Sequence, residues 1–136
     1  MNAARAMPDD RIDPTYSAAV IDHFDRPRNA GRHEPADDVV TGSAGRREQG
    51  VQFVLSARVA ADRIVAARFE AYGCPHCIAA ASWLSEHLAG RSLAELRGWS
   101  WREAAQALQI PAEKRGRLLI LEDAARAMAE AWRRRP

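Results

Sequence analysis

The stretch VQFVLSARVAADRIVAARFEAYGCPHC, residues 51–77, contains the two patterns that decide the fold of this 136-residue chain. Over residues 51–59, apolar and polar side chains alternate with the period of a half-buried strand. Residues 60–62 form a turn, and the alternation returns over residues 63–71, with Val65, Ala67 and Phe69 on one face. This stretch predicts an antiparallel hairpin that runs into a Cys-Pro-His-Cys turn.

Helical patterns lie on both sides of the hairpin. Before it, DPTYSAAVIDHF predicts a short amphipathic helix with Asp13 as its N-cap and Pro14 in its first turn. Residues 38–41 predict a short edge strand between this helix and the hairpin. After the hairpin, four helices are predicted: one from Pro75, two short ones with capping-box starts at Ser92 and Ser100, and a last one over 114–134.

The element order is therefore helix, three strands and then helices. It predicts an α+β fold in which helices pack on one face of a small three-stranded antiparallel sheet, while the other face meets solvent or a partner. The length fits a single domain with its own core. We expect residues 1–13 to form a flexible tail and residues 14–136 to form the domain.

Composition narrows the function classes. No run of eighteen apolar residues exists, so no membrane span is predicted, and the first fourteen residues lack the apolar centre of a secretion signal. A cytoplasmic location follows as the expectation. The net charge is only +2, and the terminal RRRP lacks interleaved aromatic residues, so no nucleic-acid partner is expected.

The two cysteines, Cys74 and Cys77, are too few for a disulfide framework and point to metal or redox chemistry. Pro75 suits the first helical position, which makes Cys74 the predicted N-cap, where unsatisfied N–H groups favour a thiolate. Cys77 follows one turn later, so both sulfurs are expected to be displayed on the same side. They could close a disulfide or bind a metal ion, with His76 as a further donor. A cysteine can also be merely a small buried apolar residue.

A redox interpretation rests on the same four residues. CPHC resembles the active-site turn of thioredoxin-like disulfide oxidoreductases, in which Cys74 would attack and Cys77 would resolve. Those folds have further strands after that helix, whereas this chain continues with helical patterns only. The resemblance to oxidoreductases therefore covers the turn but not the fold.

A metal interpretation needs more donors than two sulfurs. Tetrahedral thiolate sites use four ligands. Four other side chains have suitable chemistry, but no spacing selects any of them: His23, His33, Asp37 and Glu48. His23 is expected to pack or hydrogen-bond within its helix instead.

The longest motif, YSAAVIDHFDRPRNAG at residues 16–31, resembles the opening of the iron–sulfur cluster assembly scaffolds of the IscU and NifU amino-terminal type. RIVAARFEAYGC followed by AAAS, and LEDAARAM near the end, are similar to later segments of that family in the same order. The similarity covers residues 16–132. It implies the scaffold fold and a carrier rather than an enzyme.

The resemblance also implies a site. Family scaffolds hold a [2Fe–2S] cluster with three cysteines and an aspartate, and only Cys74 transfers directly. The first family cysteine falls at Gln49, the aspartate at Val51, and the last cysteine near Arg117, with Lys114 at the family's lysine. Glutamine and arginine do not replace thiolates, but a guanidinium beside Cys74 would stabilise a thiolate.

Three outcomes are compatible with this altered ligand set. Two chains could pair their Cys74 and Cys77 to hold one cluster, one chain could hold an iron or zinc ion with His76 or a carboxylate, or Cys74 could accept sulfur without metal. The family resemblance implies a cysteine desulfurase and a co-chaperone as partners. A thiol–disulfide oxidoreductase and a ligand-free interaction module are the alternative functions.

Overall fold

A computed structural model describes residues 16–135 and contains one antiparallel sheet with strand order β1–β2–β3. The strands are β1 (Val39–Arg46), β2 (Val51–Ala60) and β3 (Arg63–Tyr72). The helices are α1 (Ala18–Asp25), α2 (Pro75–His87), α3 (Leu93–Arg97), α4 (Trp101–Leu108) and α5 (Arg115–Arg133), and short 3₁₀ turns span Arg47–Gln49 and Ala112–Lys114. The predicted α+β class and the antiparallel sheet are confirmed. Within 16–135, no helix is long and apolar enough to cross a membrane.

Strand β2 is the centre of the sheet, and its alternation is the one predicted from the sequence. Its inward side chains are all buried: Val51, Phe53, Leu55, Ala57 and Val59. Burying a side chain of this kind stabilises a fold by roughly 1.5–3 kcal/mol for the larger residues. The alternating pattern therefore fixes which face of the sheet receives the helices.

Strand β3 corrects one prediction. Val65 was expected to face inward with Ala67 and Phe69, but it is 43% exposed, and Ile64 is buried in its place. The cause is a β-bulge: Ala66 pairs with Arg58 and Ile64 pairs with Val59, which leaves Val65 as an extra residue between them. Because of the bulge, the even-numbered Ile64 is buried at the start of β3, whereas the odd-numbered Ala67 and Phe69 are buried after it.

Strand β1 is longer than the edge strand predicted over 38–41, since it continues to Arg46 and pairs with β2 along its whole length. Gly42 explains how helix α5 can lie on it. A methyl group built at Gly42 would overlap the backbone nitrogen of Met128 and stand 2.6 Å from the carbonyl oxygen of Ala124. The absence of a side chain at Gly42 lets α5 rest directly on the strand.

The first described helix begins later than predicted. Ser17 is the N-cap of α1, and its hydroxyl accepts a hydrogen bond from the Val20 N–H at 3.1 Å. The same hydroxyl donates to the carbonyl of Leu108, which ties α1 to α4. The predicted cap and first-turn residues, Asp13 and Pro14, lie outside the described residues, as does the predicted tail.

Helix α2 lies between α1 and the sheet, and its serines bind the segment that follows α1. The Ser82 hydroxyl lies 2.8 Å from His23 Nδ1 and accepts the N–H of Arg28 at 2.8 Å. Ser85 donates to the Arg28 carbonyl at 3.0 Å. His23 is buried, and burial is the largest cause of its lowered pKa. It was expected to pack or hydrogen-bond within its own helix, and it instead bonds to Ser82 of α2.

The segment after α1 then hydrogen-bonds to the free edge of β3 at Phe69. The N–H of Gly31 donates to the Phe69 carbonyl at 2.7 Å, and the Phe69 N–H donates to the Asn29 carbonyl at 3.0 Å. Farther on, the N–H of His33 donates to Ser56, whose side chain faces away from the helices yet is buried. The second face of the sheet is thus partly covered by the chain itself, which corrects the expectation that it meets only solvent or a partner.

The remaining helices follow their predicted signals closely. Ser92 and Glu95 form a complete capping box at the start of α3. Ser100 caps α4 by accepting the N–H of Arg102, whereas the predicted capping box would use the N–H of Glu103. The carboxylate of Glu103 accepts a hydrogen bond from Arg91. Helix α5 matches the predicted last helix to within one residue at each end.

Candidate functional site

The Cys-Pro-His-Cys turn joins β3 to α2 and has the predicted geometry. Cys74 is the N-cap of α2 in an extended backbone conformation, and Pro75 opens the helix. The Cys74 carbonyl accepts the N–H of Cys77 at 2.9 Å, which closes the first turn. The two sulfur atoms lie 3.6 Å apart. Cys74 and Cys77 are both free thiols, so no disulfide joins them in this conformation.

The two sulfurs differ in accessibility, which corrects the expectation that both are displayed. Cys74 is half-buried, whereas Cys77 is 0% exposed and belongs to the hydrophobic core. Cys77 sits at the third helical position, and its side chain lies against the backbone of Gly73. A reagent in solvent can therefore reach Cys74 but not Cys77.

Gly73, directly before Cys74, is a site residue to which the sequence analysis assigned no function. A methyl group at Gly73 would stand 3.0 Å from the Cys77 sulfur and 2.9 Å from its Cβ, and 3.7 Å from the carbonyl oxygen of Gly50. Only glycine leaves room for the Cys77 side chain at this point. The sequence does contain a signal for this role: a glycine directly before Cys74, in a strand-to-helix turn, indicates that another group lies close to the backbone there.

The environment of Cys74 favours its thiolate. Its pKa is lowered from 9.0 to about 3, and the largest cause is the hydrogen bond from Cys77. Partial burial opposes this shift, while the side chain of His76 and the backbone N–H groups of His76 and Cys77 reinforce it. The Cys74 side chain makes no capping hydrogen bond, so these N–H groups act on its charge from a longer distance. Such an effect is expected at a helix start, where N–H groups stabilise negative charge.

The environment of Cys77 favours its neutral thiol. Its pKa is raised because ionisation would break the hydrogen bond to Cys74, and burial and the charge on Cys74 act in the same direction. The guanidinium of Arg117 opposes this shift. Arg117, the family position expected near Cys74, lies in the first turn of α5, and its charge acts on Cys77.

His76 lies between the two cysteines and is almost completely buried. Its ring meets the ring of Tyr16 edge to face, with the centroids 4.8 Å apart. It also contributes to the lowered pKa of Cys74. The imidazole therefore packs inside the turn. Its role as a metal ligand stays a prediction.

The other family positions lie at the same end of the sheet. Gln49 is exposed in the 3₁₀ turn between β1 and β2, and Gly50 follows it with a φ of +89°. Val51 points into the core and is 4% exposed. Lys114 precedes α5 as its N-cap residue. The turn that carries Gln49 lies beside the Cys74 turn, since a methyl group at Gly73 would stand 3.7 Å from the carbonyl oxygen of Gly50. The charge of Arg117 acts on Cys77 from the first turn of α5.

The donor set in this part of the chain is small. Within residues 16–135, no three His, Cys, Asp or Glu side chains lie close enough together to hold a metal ion. His23 is engaged with Ser82, Asp37 is exposed in the segment before β1, and Glu48 is exposed in the same 3₁₀ turn as Gln49. Burial is the largest cause of the lowered pKa of His33, whose backbone is bonded to β2. The thiols of Cys74 and Cys77 are the donors that the turn itself supplies.

Comparison with known proteins places this geometry in a family context. The family model described as the NifU-like N terminal domain matches residues 15–136. The chain is 35% identical over 114 residues to the iron-sulfur cluster assembly scaffold protein IscU of Escherichia coli (strain K12), covering 82% of this chain and 89% of that protein. It is 34% identical over 120 residues to IscU of Azotobacter vinelandii, covering 87% and 94%.

Two further similarities extend beyond these bacterial scaffolds. The iron sulfur cluster assembly protein 1 of Trachipleistophora hominis is 32% identical over 121 residues, and 88% of each chain is covered. The crystal structure of the amino-terminal part of a NifU-like protein from Brucella abortus superposes with a TM-score of 0.62 at 16% identity, covering 90% of this chain and 95% of that one. This last similarity concerns the fold alone.

Proposed function

Because this chain belongs to the NifU-like N-terminal domain family, we propose that it serves iron–sulfur cluster assembly as a scaffold that accepts sulfur on Cys74. Its relatives in two bacteria are named assembly scaffolds. The observation that carries the proposal is the pair of unlike thiols at the start of α2, with an accessible Cys74 above an enclosed Cys77.

Sulfur acceptance needs one accessible thiolate and no metal. The Cys74 thiolate attacks the outer sulfur of a persulfide, the sulfur–sulfur bond of the donor breaks, and the donor leaves as a thiolate. Cys74 has the required ionisation, because Cys77 and the amide groups of the first turn hold its pKa low. The persulfide of a cysteine desulfurase is the donor that fits this chemistry, and a co-chaperone is the second partner that the family resemblance suggests.

The single-cysteine variants test this proposal. In Cys77→Ala, which keeps the enclosed position apolar, we expect the metal-free chain to gain the mass of one sulfur atom from glutathione persulfide. Cys74→Ser, which keeps a good N-cap residue, should gain none above a blank. Intact-mass spectrometry without oxygen measures both. Equal uptake by the two variants, or uptake by Cys74→Ser alone, would contradict the proposal.

Iron or a [2Fe–2S] cluster as bound cargo is the second candidate, and the sulfur separation favours it. Tetrahedral sites with metal–sulfur bonds of about 2.3 Å place their sulfurs about 3.8 Å apart, close to the 3.6 Å between Cys74 and Cys77. Gln49 is a weak neutral donor and Arg117 cannot ligate, so a second chain would supply the other two sulfurs. Zinc held with His76 is the remaining metal alternative.

Anaerobic reconstitution distinguishes cargo binding from sulfur acceptance alone. If two chains share a cluster, ferrous iron and sulfide should produce cluster absorption in the parent protein together with a dimer in light scattering. Both Cys74→Ser and Cys77→Ala should lose the absorption, because each removes half of the thiolate donors. Absorption that survives in Cys77→Ala would overturn the shared-cluster arrangement while leaving sulfur acceptance in place.

A further inference from the structure

We propose that Cys77 discharges the sulfur that Cys74 accepts: it attacks the Sγ atom of a Cys74 persulfide and releases sulfide, leaving a Cys74–Cys77 disulfide. The inference rests on the proposed function, because it begins with sulfur on Cys74. It assigns to this turn an activity beyond carrying sulfur, namely the reduction of sulfane sulfur to sulfide. Cys77 supplies the electrons that a separate reductant would otherwise provide.

The first support is the approach of the two sulfurs. Cys74 and Cys77 occupy the N-cap and the third position of α2, and their Sγ atoms are 3.6 Å apart. A disulfide bond is about 2.05 Å long, so the sulfurs must close by roughly 1.5 Å. Rotation of the Cys74 side chain at the helix start can supply much of this movement, because Cys74 lies outside the helix proper.

The second support is the enclosure of Cys77. Its side chain is 0% exposed, and the backbone of Gly73 lies against its sulfur so closely that a methyl group there would stand 3.0 Å away. The chain has two cysteines in all, so Cys74 is the one protein thiol that Cys77 can meet. An enclosed thiol is unsuited to taking sulfur from an external donor, and it is well placed to resolve a persulfide formed above it.

The third support is the contrast with the accessible partner. Cys74 is half-buried at the protein surface, where an incoming persulfide can reach it. Thiol–disulfide exchange requires an attacking thiolate, an electrophilic sulfur and a leaving group that is stable as an anion. Hydrosulfide is such a leaving group. The two cysteines thus divide the work, with Cys74 receiving the sulfur and Cys77 expelling it.

The reaction balances in two steps. In the first, the Cys74 sulfur bonds to the outer sulfur of the donor persulfide, and the donor leaves as a thiolate. In the second, the added sulfur, ionised as a persulfide anion, takes the proton of Cys77, the resulting Cys77 thiolate bonds to Cys74 Sγ, and the bond from Sγ to the added sulfur breaks, so that the added sulfur leaves as hydrosulfide. The added sulfur gains two electrons, and the two cysteines lose them. A dithiol reductant is needed only to reopen the disulfide before the next turnover.

The test uses the full chain, treated with chelator and kept without oxygen, with glutathione persulfide as the probe. The parent protein should release about one sulfide per chain, since two thiols supply the two electrons one sulfur needs, and should lose the mass of two hydrogen atoms. Cys77→Ala should keep the added sulfur and release no sulfide above the blank. Cys74→Ser should do neither. Sulfide is measured by the methylene blue reaction and the protein by intact mass.

Three results would overturn the proposal. A parent protein that keeps its added sulfur as long as Cys77→Ala does would exclude discharge by Cys77 while leaving sulfur acceptance intact. A glutathione adduct on Cys77→Ala, in place of one added sulfur atom, would show that Cys74 attacks the inner sulfur of the donor and that no Cys74 persulfide precedes the disulfide. Failure of Cys77→Ala to take up sulfur would remove the proposed function and this inference together. Sulfide release and the loss of two hydrogen masses are measured on the parent protein itself, so a parent that takes up sulfur and releases none would overturn the proposal even if Cys77→Ala did not fold.

Discussion

A Gly42→Ala variant is expected to lose about 3 kcal/mol or more of unfolding free energy, at the upper end of what overpacking costs. The added methyl group would overlap backbone atoms of α5 at Met128 and Ala124, which cannot move aside as a side-chain tip can. Helix α5 would have to lift from β1, and the contacts of Leu121 and Met128 with the core would loosen. A domain of this size has roughly 5–15 kcal/mol in total, so the loss is a large share.

Gly116→Ala is the matched control, because it makes the same chemical change in the helix that Gly42 supports. Gly116 lies in the first turn of α5, and a methyl group there meets no atom within 4 Å. Alanine should be neutral or stabilising by up to about 1 kcal/mol at a helical position. Urea unfolding followed by circular dichroism measures both variants. Similar midpoints for the two would refute the close approach of α5 to β1.

Alkylation of Cys74 by iodoacetamide is expected to proceed at nearly the same rate between about pH 8 and about pH 5, whereas an ordinary cysteine slows by about three orders of magnitude over that range. Only the thiolate reacts, and the contacts from Cys77 and the first turn of α2 keep Cys74 ionised well below neutral pH. The rate should fall only as the pH approaches the lowered pKa. Mass spectrometry should show one modified cysteine, because Cys77 is enclosed.

Cys77→Ala separates the causes of this behaviour. The variant removes the hydrogen bond that contributes most to the lowered pKa of Cys74, and it leaves the backbone N–H groups and His76 in place. Its alkylation rate should therefore begin to fall at a higher pH than in the parent, while remaining above that of an unfolded-chain cysteine at the same pH. If the parent rate declines tenfold for each pH unit below about pH 8, Cys74 is an ordinary thiol.

The fold could be predicted where one local pattern decided an element. Strand β2 was predictable because strict alternation puts every apolar side chain on one face. Strand β1 was underpredicted because TGSAG at residues 41–45 reads as a loop, and its strand conformation comes from pairing with β2 and from contact with α5. The exposure of Val65 was missed because a bulge depends on the register of two strands, which no single strand encodes.

The site was predictable to the same extent. The N-cap position of Cys74 followed from Pro75. The closeness of the Gln49 turn and of Arg117 to the Cys74 turn followed from the resemblance to the family, and the comparisons confirm the family. The enclosure of Cys77 could not be foreseen, because it arises from the backbone of Gly73 and from a helix packed against the sheet. The influence of Arg117 on Cys77 likewise depends on how α5 is placed in three dimensions.

Eight of the thirteen residues of helix α2 are buried, and Cys74, whose lowered pKa favours the thiolate, is its N-cap. Negative charge at the amino end of a helix stabilises that helix, so the charge state of one atom contributes to the cohesion of the most enclosed helix in the described part of the chain. A neutral cap on that atom weakens the support, and a fresh anion restores it. The midpoint of thermal unfolding should therefore shift when the charge on Cys74 changes.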